Sequence, residues 1–397
     1  MRAIIVGAGI GGPAAAVALQ RAGLEVVLCE TLPQPAEHRG LFLGLGVNGM
    51  RVLGHLDLLH CLDTIDTIPT PLMSFYSTTG KKLGAVSNGW LDSTHPSVTV
   101  MRGALHQALA VEAQKRGVEV IYGKTFKGIL PGIDGVVVQF DDGTELQGDL
   151  LVGADGLWSR VRGAMGMHAR PAFTGLLNIG GTASTSLAPT VNEMQMIWGK
   201  RAFFGYTVRA SGEAWWFANI AAKEEPEHGE LGGTSETAWR TRLQELFIDD
   251  HSAIIEILKS SGKIGAYPIY DMPALPAWTS GRIALIGDAA HAASPSSGQG
   301  ASMALEDAIT IGKCVRDLGV NETALRRFVN LRRARAERIV AEGRKRGQYK
   351  APSGRMALFF RDLLMPMAMK VFANDASLAW IYDHDIPWSQ AVGQDST

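Results

Sequence analysis

The sequence predicts an α/β fold in which a three-layer, mostly parallel-sheet domain is interleaved with an antiparallel β-sheet domain and followed by C-terminal helices. Three observations carry this. The chain opens as strand, glycine turn, helix and strand; short aromatic-rich segments of period 2 fill about 171–275; and a buried-type strand returns at 282–286. The chain thus leaves its first domain and comes back to it. The predicted boundaries are 1–70, 97–170 and 278–320 for the first domain, 71–96 and 171–277 for the second, and 321–397 for the helical segment. At 397 residues the chain is too long for one ordinary core.

Each element has a local reason. Ala3–Val6 is rich in β-branched residues and reads as a strand. The alanine-rich stretch from Pro13 to about Ala22 reads as a helix, with Pro13 in the first turn, where its missing N–H has no partner to lose. Leu24–Glu30 closes the βαβ opening. Leu105–Arg116 is predicted helical and Val118–Tyr122 extended. Between about 132 and 149, short alternating strands flank the Asp-Asp-Gly turn 141–143. The segments MQMIWG (194–199), FFGYTV (203–208) and EAWWFANIAA (213–222) read as antiparallel strands. Thr237–Ile248 and His251–Lys259 look helical, Arg282–Ile286 is a strand, and the chain is mostly helical from Gly300 onward. No internal repeat or low-complexity segment occurs.

Composition excludes several functions. Thirty-eight basic against 39 acidic residues give a net charge of −1, so no field draws a polyanion, which argues against nucleic-acid binding. Cys29, Cys61 and Cys314 are widely spaced without a CxxC pair, which excludes a disulfide scaffold or zinc cluster and fits a reducing cytoplasm. The apolar run at the N-terminus is too short for a signal-peptide core. Met356–Ala373 is interrupted by Arg361, Asp362, Pro366 and Lys370, so a buried helix is expected there rather than membrane insertion. Glycine is the outlier. Its 46 residues are about 12% of the chain against a usual roughly 7%, and they cluster in tight runs, as where backbone approaches a ligand.

Three motifs carry chemistry. In the first, Gly7-Ala8-Gly9-Ile10-Gly11-Gly12, Gly7 permits the tight turn, Gly9 lets backbone approach a pyrophosphate, and Gly12 allows close helix–strand packing. Glu30 ends the second strand, where a carboxylate can accept both ribose hydroxyls. This is a Rossmann-like dinucleotide site for NAD or FAD. The second motif is Gly287-Asp288-Ala289-Ala290-His291, continuing through Pro295, Gly298, Gln299 and Gly300 into the helix that starts at Ala301. Asp288 suits a polyol hydroxyl, and the helix N-terminus suits negative charge. The third is Gly153-Ala154-Asp155-Gly156, followed by Ser159, which can cap a short helix, and Arg162, which can anchor the turn.

In this order the three motifs resemble those of the class A FAD-dependent monooxygenases, the group of p-hydroxybenzoate and salicylate hydroxylases. The subgroup of tetracycline-inactivating and antibiotic-tailoring hydroxylases is the nearest. The resemblance covers about 1–54, 98–110, 147–163 and 267–312. It implies that Gly7, Gly9, Gly11, Gly12 and Glu30 hold the ADP half of FAD, and that Arg102 contacts the linker. Arg39 would precede the loop beside the flavin. Asp155 would serve the pyrophosphate and productive NAD(P)H use, Asp288 the ribityl region, and Pro295, Gly298, Gly300 and Ala301 would border the isoalloxazine. The run Leu43–Asn48 departs from the family's loop pattern. The activity implied is NAD(P)H- and O2-dependent hydroxylation of an aromatic or polycyclic small molecule through a flavin C4a-hydroperoxide, with FAD bound, NADPH or NADH transient, and no metal.

The remaining candidates are read more plainly. Trp215 and Phe217, with Trp198 and Tyr206 on neighbouring strands, form an aromatic face that could line a substrate cavity or simply be sheet core. Few charges lie within these strands, which favours a mostly apolar substrate, although Arg201 or Arg209 could anchor a carboxylate. His291 reads as structural, the arginines of 325–339 as a solvated helix, and Cys29 as inert. No acid or base can be named, and oligomeric state is open. The alternatives are an FAD-dependent dehydrogenase or reductase of the same fold, a non-catalytic FAD-binding protein, and a halogenase, whose WxWxIP motif is absent.

Overall fold

A computed structural model describes residues 1–34, 40–89, 94–131, 135–227, 229–348, 362–367, 369 and 375–393. The N-terminal strand Arg2–Val6 lies inside a six-stranded sheet, between Glu25–Glu30 on one side and Leu150–Gly153 on the other. Glu119–Tyr122 closes one edge, and the hairpin of Thr279–Ser280 with Ile283–Leu285 closes the other. Apart from that hairpin every pairing is parallel, which explains why the inner strands are apolar on both faces.

The helix Gly11–Arg21 packs against the long helix Gly300–Leu318 so closely that a Cβ on Gly312 would lie 2.6 Å from that of Ala18. The second large sheet has seven strands, in the order Ser261–Asp271, Ala172–Ser184, Glu213–Ala221, Phe203–Val208, Glu193–Trp198, Leu72–Tyr76, Lys82–Ser87. Helices Glu236–Leu246 and Ser252–Lys259 cover one face with Trp239, Leu243, Phe247 and Ile254. The other face looks back toward the parallel sheet. Two further three-stranded sheets complete the fold, one of them carrying the predicted turn at Gly143, whose φ is +80°.

Two expectations need correction. Of the run Met356–Ala373, only 362–367 and 369 are described. Residues 362–367 are helical but not buried, since Leu363, Leu364 and Met367 are 57% to 71% exposed. The helix Glu322–Gln348 is not simply solvated either. Arg332 is 1% exposed and lies between Glu306 and Asp307 of the preceding helix. These two acids sit in an otherwise apolar helical run, so a buried cation between them offsets the cost of keeping them ionised.

All three cysteines are buried and free. Burial pushes the Cys29 thiol up to about 12 and that of Cys61 up to about 11. The native protein is therefore expected to leave Cys29 and Cys61 unmodified by a thiol-specific disulfide reagent at pH 8, and to release them only on denaturation. Prompt reaction of either in the native state would contradict this packing.

Candidate functional site

A continuous cavity of about 2140 Å³ runs from the end of the parallel sheet to the open face of the seven-stranded sheet. Its first part is built by the glycine turn. Gly7 has φ +102°, and a Cβ there would lie 2.4 Å from the Ala154 carbonyl oxygen. A Cβ on Gly12 would lie 2.0 Å from the Gly7 oxygen. Gly9, by contrast, would meet nothing within 4 Å, because its backbone faces the cavity. Gly7, Gly9 and Gly11 line that space, whereas Gly12 acts behind it by closing the helix onto the strand.

Glu30 lines the same end and also braces the turn. Its two carboxylate oxygens accept from Ala8 N (2.8 Å) and Leu32 N (2.9 Å), leaving lone pairs for a ligand. Arg102 stands at the head of the helix Arg102–Lys115 and lines the cavity from an exposed position. Arg39 lies outside the described residues.

Asp155 lines the middle of the cavity. Desolvation raises its carboxyl above the usual range even though Ser159 Oγ (2.6 Å) and Val161 N (3.0 Å) donate to it. Ser159 caps the following short helix as expected, accepting from Arg162 N, and Arg162 donates to Leu157 O and Ala289 O. That last bond ties the Asp155 turn to the Asp288 turn. Asp288 follows Gly287 (φ +58°), whose N–H donates to Asp307 Oδ2 at 2.8 Å. Pro295, Gly298, Gly300 and Ala301 continue the wall, so the N-terminus of the helix Gly300–Leu318 opens on the cavity. His291 is buried, bonded to Asp307 (2.6 Å) and packed on Trp278, the structural role expected of it.

The substrate-side wall is apolar, but only half of the predicted aromatic set belongs to it. Trp198 and Phe217 line the cavity together with Phe42, Phe75 and Phe203. Trp198 meets Phe203 edge-on at 5.0 Å and stacks with Phe75 at 6.2 Å. Tyr206 does not join them. Its register partner is Trp216, so it projects to the opposite face, where its OH donates to Gln195 Oε1 at 2.6 Å. Trp215 shares the face of Phe217 but lies beneath Phe42, stacked at 6.0 Å and outside the cavity lining.

Phe203 and Tyr382 were missed. Phe203 is found by pairing: it lies directly opposite Trp198, and a one-residue step in a strand reverses the face. Tyr382 comes from the C-terminal helix Asp375–Tyr382, with nothing local to mark it. Burial pushes its phenol up to about 12, so it remains protonated and donates to Asn88 Oδ1 at 2.8 Å. Neither predicted carboxylate anchor reaches the cavity. Arg209 is held by Asp66 (2.7 and 3.0 Å) and Glu213 (3.1 Å), and Arg201 donates to the Glu245 carbonyl.

The two aromatic positions separate in a simple test. Trp198→Ala is expected to weaken binding of an aromatic ligand about tenfold, by removing ring contact worth roughly 1–1.5 kcal/mol. Tyr206→Phe should leave ligand affinity within twofold. Equal effects in equilibrium dialysis would contradict the assignment of faces.

A family model described as an FAD binding domain matches residues 1–342. The chain is 30% identical to aurachin C monooxygenase/isomerase of Stigmatella aurantiaca, over 92% of this chain and 93% of that one. It is 27% identical to 6-hydroxynicotinate 3-monooxygenase of Pseudomonas fluorescens, over 85% and 88%. The fold matches that of Klebsiella pneumoniae HpxO complexed with FAD and uric acid, with a TM-score of 0.82 at 23% identity over 94% of each chain. On the glycine cradle, the shared fold and these likenesses, the chain belongs to the class A FAD-dependent monooxygenases.

Proposed function

We propose that this enzyme is an NAD(P)H- and O2-dependent hydroxylase of an uncharged, mostly apolar aromatic or polycyclic small molecule, acting in the cytoplasm. The observation that carries this is one cavity joining a nucleotide cradle to an aromatic wall that, among the described residues, offers no arginine from the sheet. The residues fit FAD. Backbone at Gly9 and Gly300 faces open space where side chains would intrude, and carboxylates stand at Glu30, Asp155 and Asp288 along its length.

In this reading Gly7, Gly9, Gly11, Gly12 and Glu30 take the adenosine and pyrophosphate, and Arg102 and Asp155 the linker. Asp288 takes the polyol, and Pro295, Gly298, Gly300 and Ala301 the ring system, with Arg39 assigned by resemblance alone. Residues 1–70, 97–170 and 278–320 would then serve the cofactor, 71–96 and 171–277 the substrate, and 321–397 a helical cover. When bound, FAD would supply the hydride acceptor for NAD(P)H and the activation of O2. The protein's part is to place and shield. The helix opening at Gly300 favours negative charge at its N-terminus, and Phe42, Phe75, Trp198, Phe203 and Phe217 exclude water and hold a flat ring. Tyr382 keeps its hydroxyl proton at neutral pH and donates it to Asn88 Oδ1.

The test is oxygen uptake by the FAD-loaded enzyme with NADPH or NADH, across phenols, indoles and polycyclic aromatics. One compound class is expected to stimulate uptake and to gain one oxygen atom derived from O2. Nicotinamide oxidation without oxygen incorporation for any class would favour the dehydrogenase reading. A bound flavin that neither nicotinamide reduces would favour a non-catalytic protein.

A further inference from the structure

Five strands of the seven-stranded sheet carry one continuous row of directly opposed residues: Trp198, Phe203, Asn219, Asn178 and Tyr267. Trp198 pairs with Phe203, Phe203 with Asn219, Asn219 with Asn178, and Asn178 with Tyr267. Opposed residues share a face, and all five line the cavity. The row is chemically graded. Its inner end is an indole against a phenyl ring, its middle is a pair of amides, and its outer end is a phenol that is 46% exposed.

The amide pair is unexpected on this wall. Met194, Met196 and Phe217 stand on the same wall, and Asn219 is only 2% exposed. A buried amide in apolar surroundings costs stability unless its groups are paired. Asn219 Nδ2 donates to Asn178 Oδ1 at 3.0 Å, which settles one contact. Asn178 is half-buried and lines the cavity, and among the described residues its own Nδ2 donates to no protein acceptor. The pair therefore fixes the orientation of one amide donor that points to ligand space.

We infer that this row reads the substrate's polar edge: Asn178, held by Asn219, donates to an oxygen acceptor on an uncharged, planar bicyclic or larger aromatic whose apolar end lies against Phe203 and Trp198. The inference rests on the hydroxylase reading above and narrows its substrate class. Scale supports the ring size. The strands of Phe203 and Asn178 are two inter-strand spacings apart, roughly 10 Å, which a fused ring with an oxygen substituent spans and a single benzoate does not. Charge supports the uncharged class, because the row itself offers amides and a phenol, and the nearby cavity-lining Arg346 is already paired with Glu342 at 3.0 Å.

The experiment is equilibrium dialysis of the FAD-loaded enzyme with 2-naphthol, naphthalene and 2-naphthoate. Wild type is expected to bind 2-naphthol about tenfold more tightly than naphthalene, the discrimination of one well-made hydrogen bond in a dry site, and to bind 2-naphthoate most weakly. In Asn178→Leu the naphthol preference should fall to within about twofold, with naphthalene affinity and FAD retention unchanged; Asn178→Gln should restore part of it. Equal affinity for naphthol and naphthalene in wild type, tightest binding of naphthoate, a preference untouched by Asn178→Leu, or binding of none of the three would each overturn the row's role. Failure of the hydroxylase reading shows differently, as oxygen uptake that no aromatic stimulates while the naphthol preference and its loss in Asn178→Leu persist.

Discussion

Arg332→Leu is expected to lower the unfolding free energy by about 3–5 kcal/mol, because it removes the fully buried cation that two buried carboxylates share. Arg332 Nη1 lies 2.6 Å from Glu306 Oε2, and its Nε lies 2.8 Å from Asp307 Oδ1. Glu306 keeps Arg335 (2.9 Å) and Asn48 (2.6 Å), but Asp307 is left with His291 and the Gly287 N–H. Burial alone would raise Glu306; the charges of Arg332 and Arg335 override it and hold the carboxyl near 2 instead of its ordinary 4.5. Asp307 is lowered too, against burial, by His291 and Arg332.

A carboxyl depressed in the folded state contributes stability that is present above its unfolded pKa and is lost as pH falls through the folded one. Wild type should therefore lose stability between about pH 4.5 and 2, and Arg332→Leu should lose less over that interval because it has already forfeited the pairing. Urea unfolding at pH 7 and pH 3 measures both. A loss at pH 7 below about 1 kcal/mol, the worth of an exposed pair, would show that the network is dispensable.

Gly12→Val and Gly9→Val are expected to impair flavin binding for different reasons, the first abolishing it and the second weakening it. At position 12 a Cβ would lie 2.0 Å from the Gly7 carbonyl oxygen, which is backbone and cannot step aside. The first helix can then no longer close on its strand, so the variant should be colourless and also less stable as apoprotein. At position 9 a Cβ would meet no protein atom within 4 Å. Gly9→Val should keep apoprotein stability within about 0.5 kcal/mol of wild type, as for a change that disturbs no packing. It should still weaken FAD by about 100-fold, equivalent to near 3 kcal/mol. Flavin fluorescence titration and thermal unfolding of the apoproteins separate the two. A Gly9→Val enzyme that retains FAD would mean that the ligand does not approach this backbone.

What was legible in the sequence was what local sterics dictate. A glycine run between a β-branched strand and an alanine-rich helix has few uses, and the strands at 194–199, 203–208 and 213–222 announce themselves by composition. What was illegible depended on partners far along the chain. Tyr206 and Phe203 differ by an odd number of residues, so one faces the helices and the other the cavity, and only the pairing with Trp198 shows which. Arg332 resembles its solvated neighbours until Glu306 and Asp307 are seen packed against it; two adjacent acids in the apolar run SMALEDAITIG were the available signal. Tyr382 reaches the cavity through packing of the C-terminal helix that no local pattern encodes.

The strand order of the parallel sheet also bears on how the chain is made. Leu150–Gly153 pairs on one side with Arg2–Val6 and on the other with Ile283–Leu285. During synthesis at roughly 5–20 residues per second, the apolar edge at 150–153 therefore waits on the order of ten seconds for its second neighbour. A bare, apolar strand edge is a template for pairing with another chain. Five of the seven strands of the other sheet are synthesised in that interval, while the parallel sheet still lacks its edge hairpin. Premature termination within it would leave a fragment with an open edge and no means of covering it, so yield during expression should respond to translation speed and chaperone supply more than the stability of the finished enzyme would suggest.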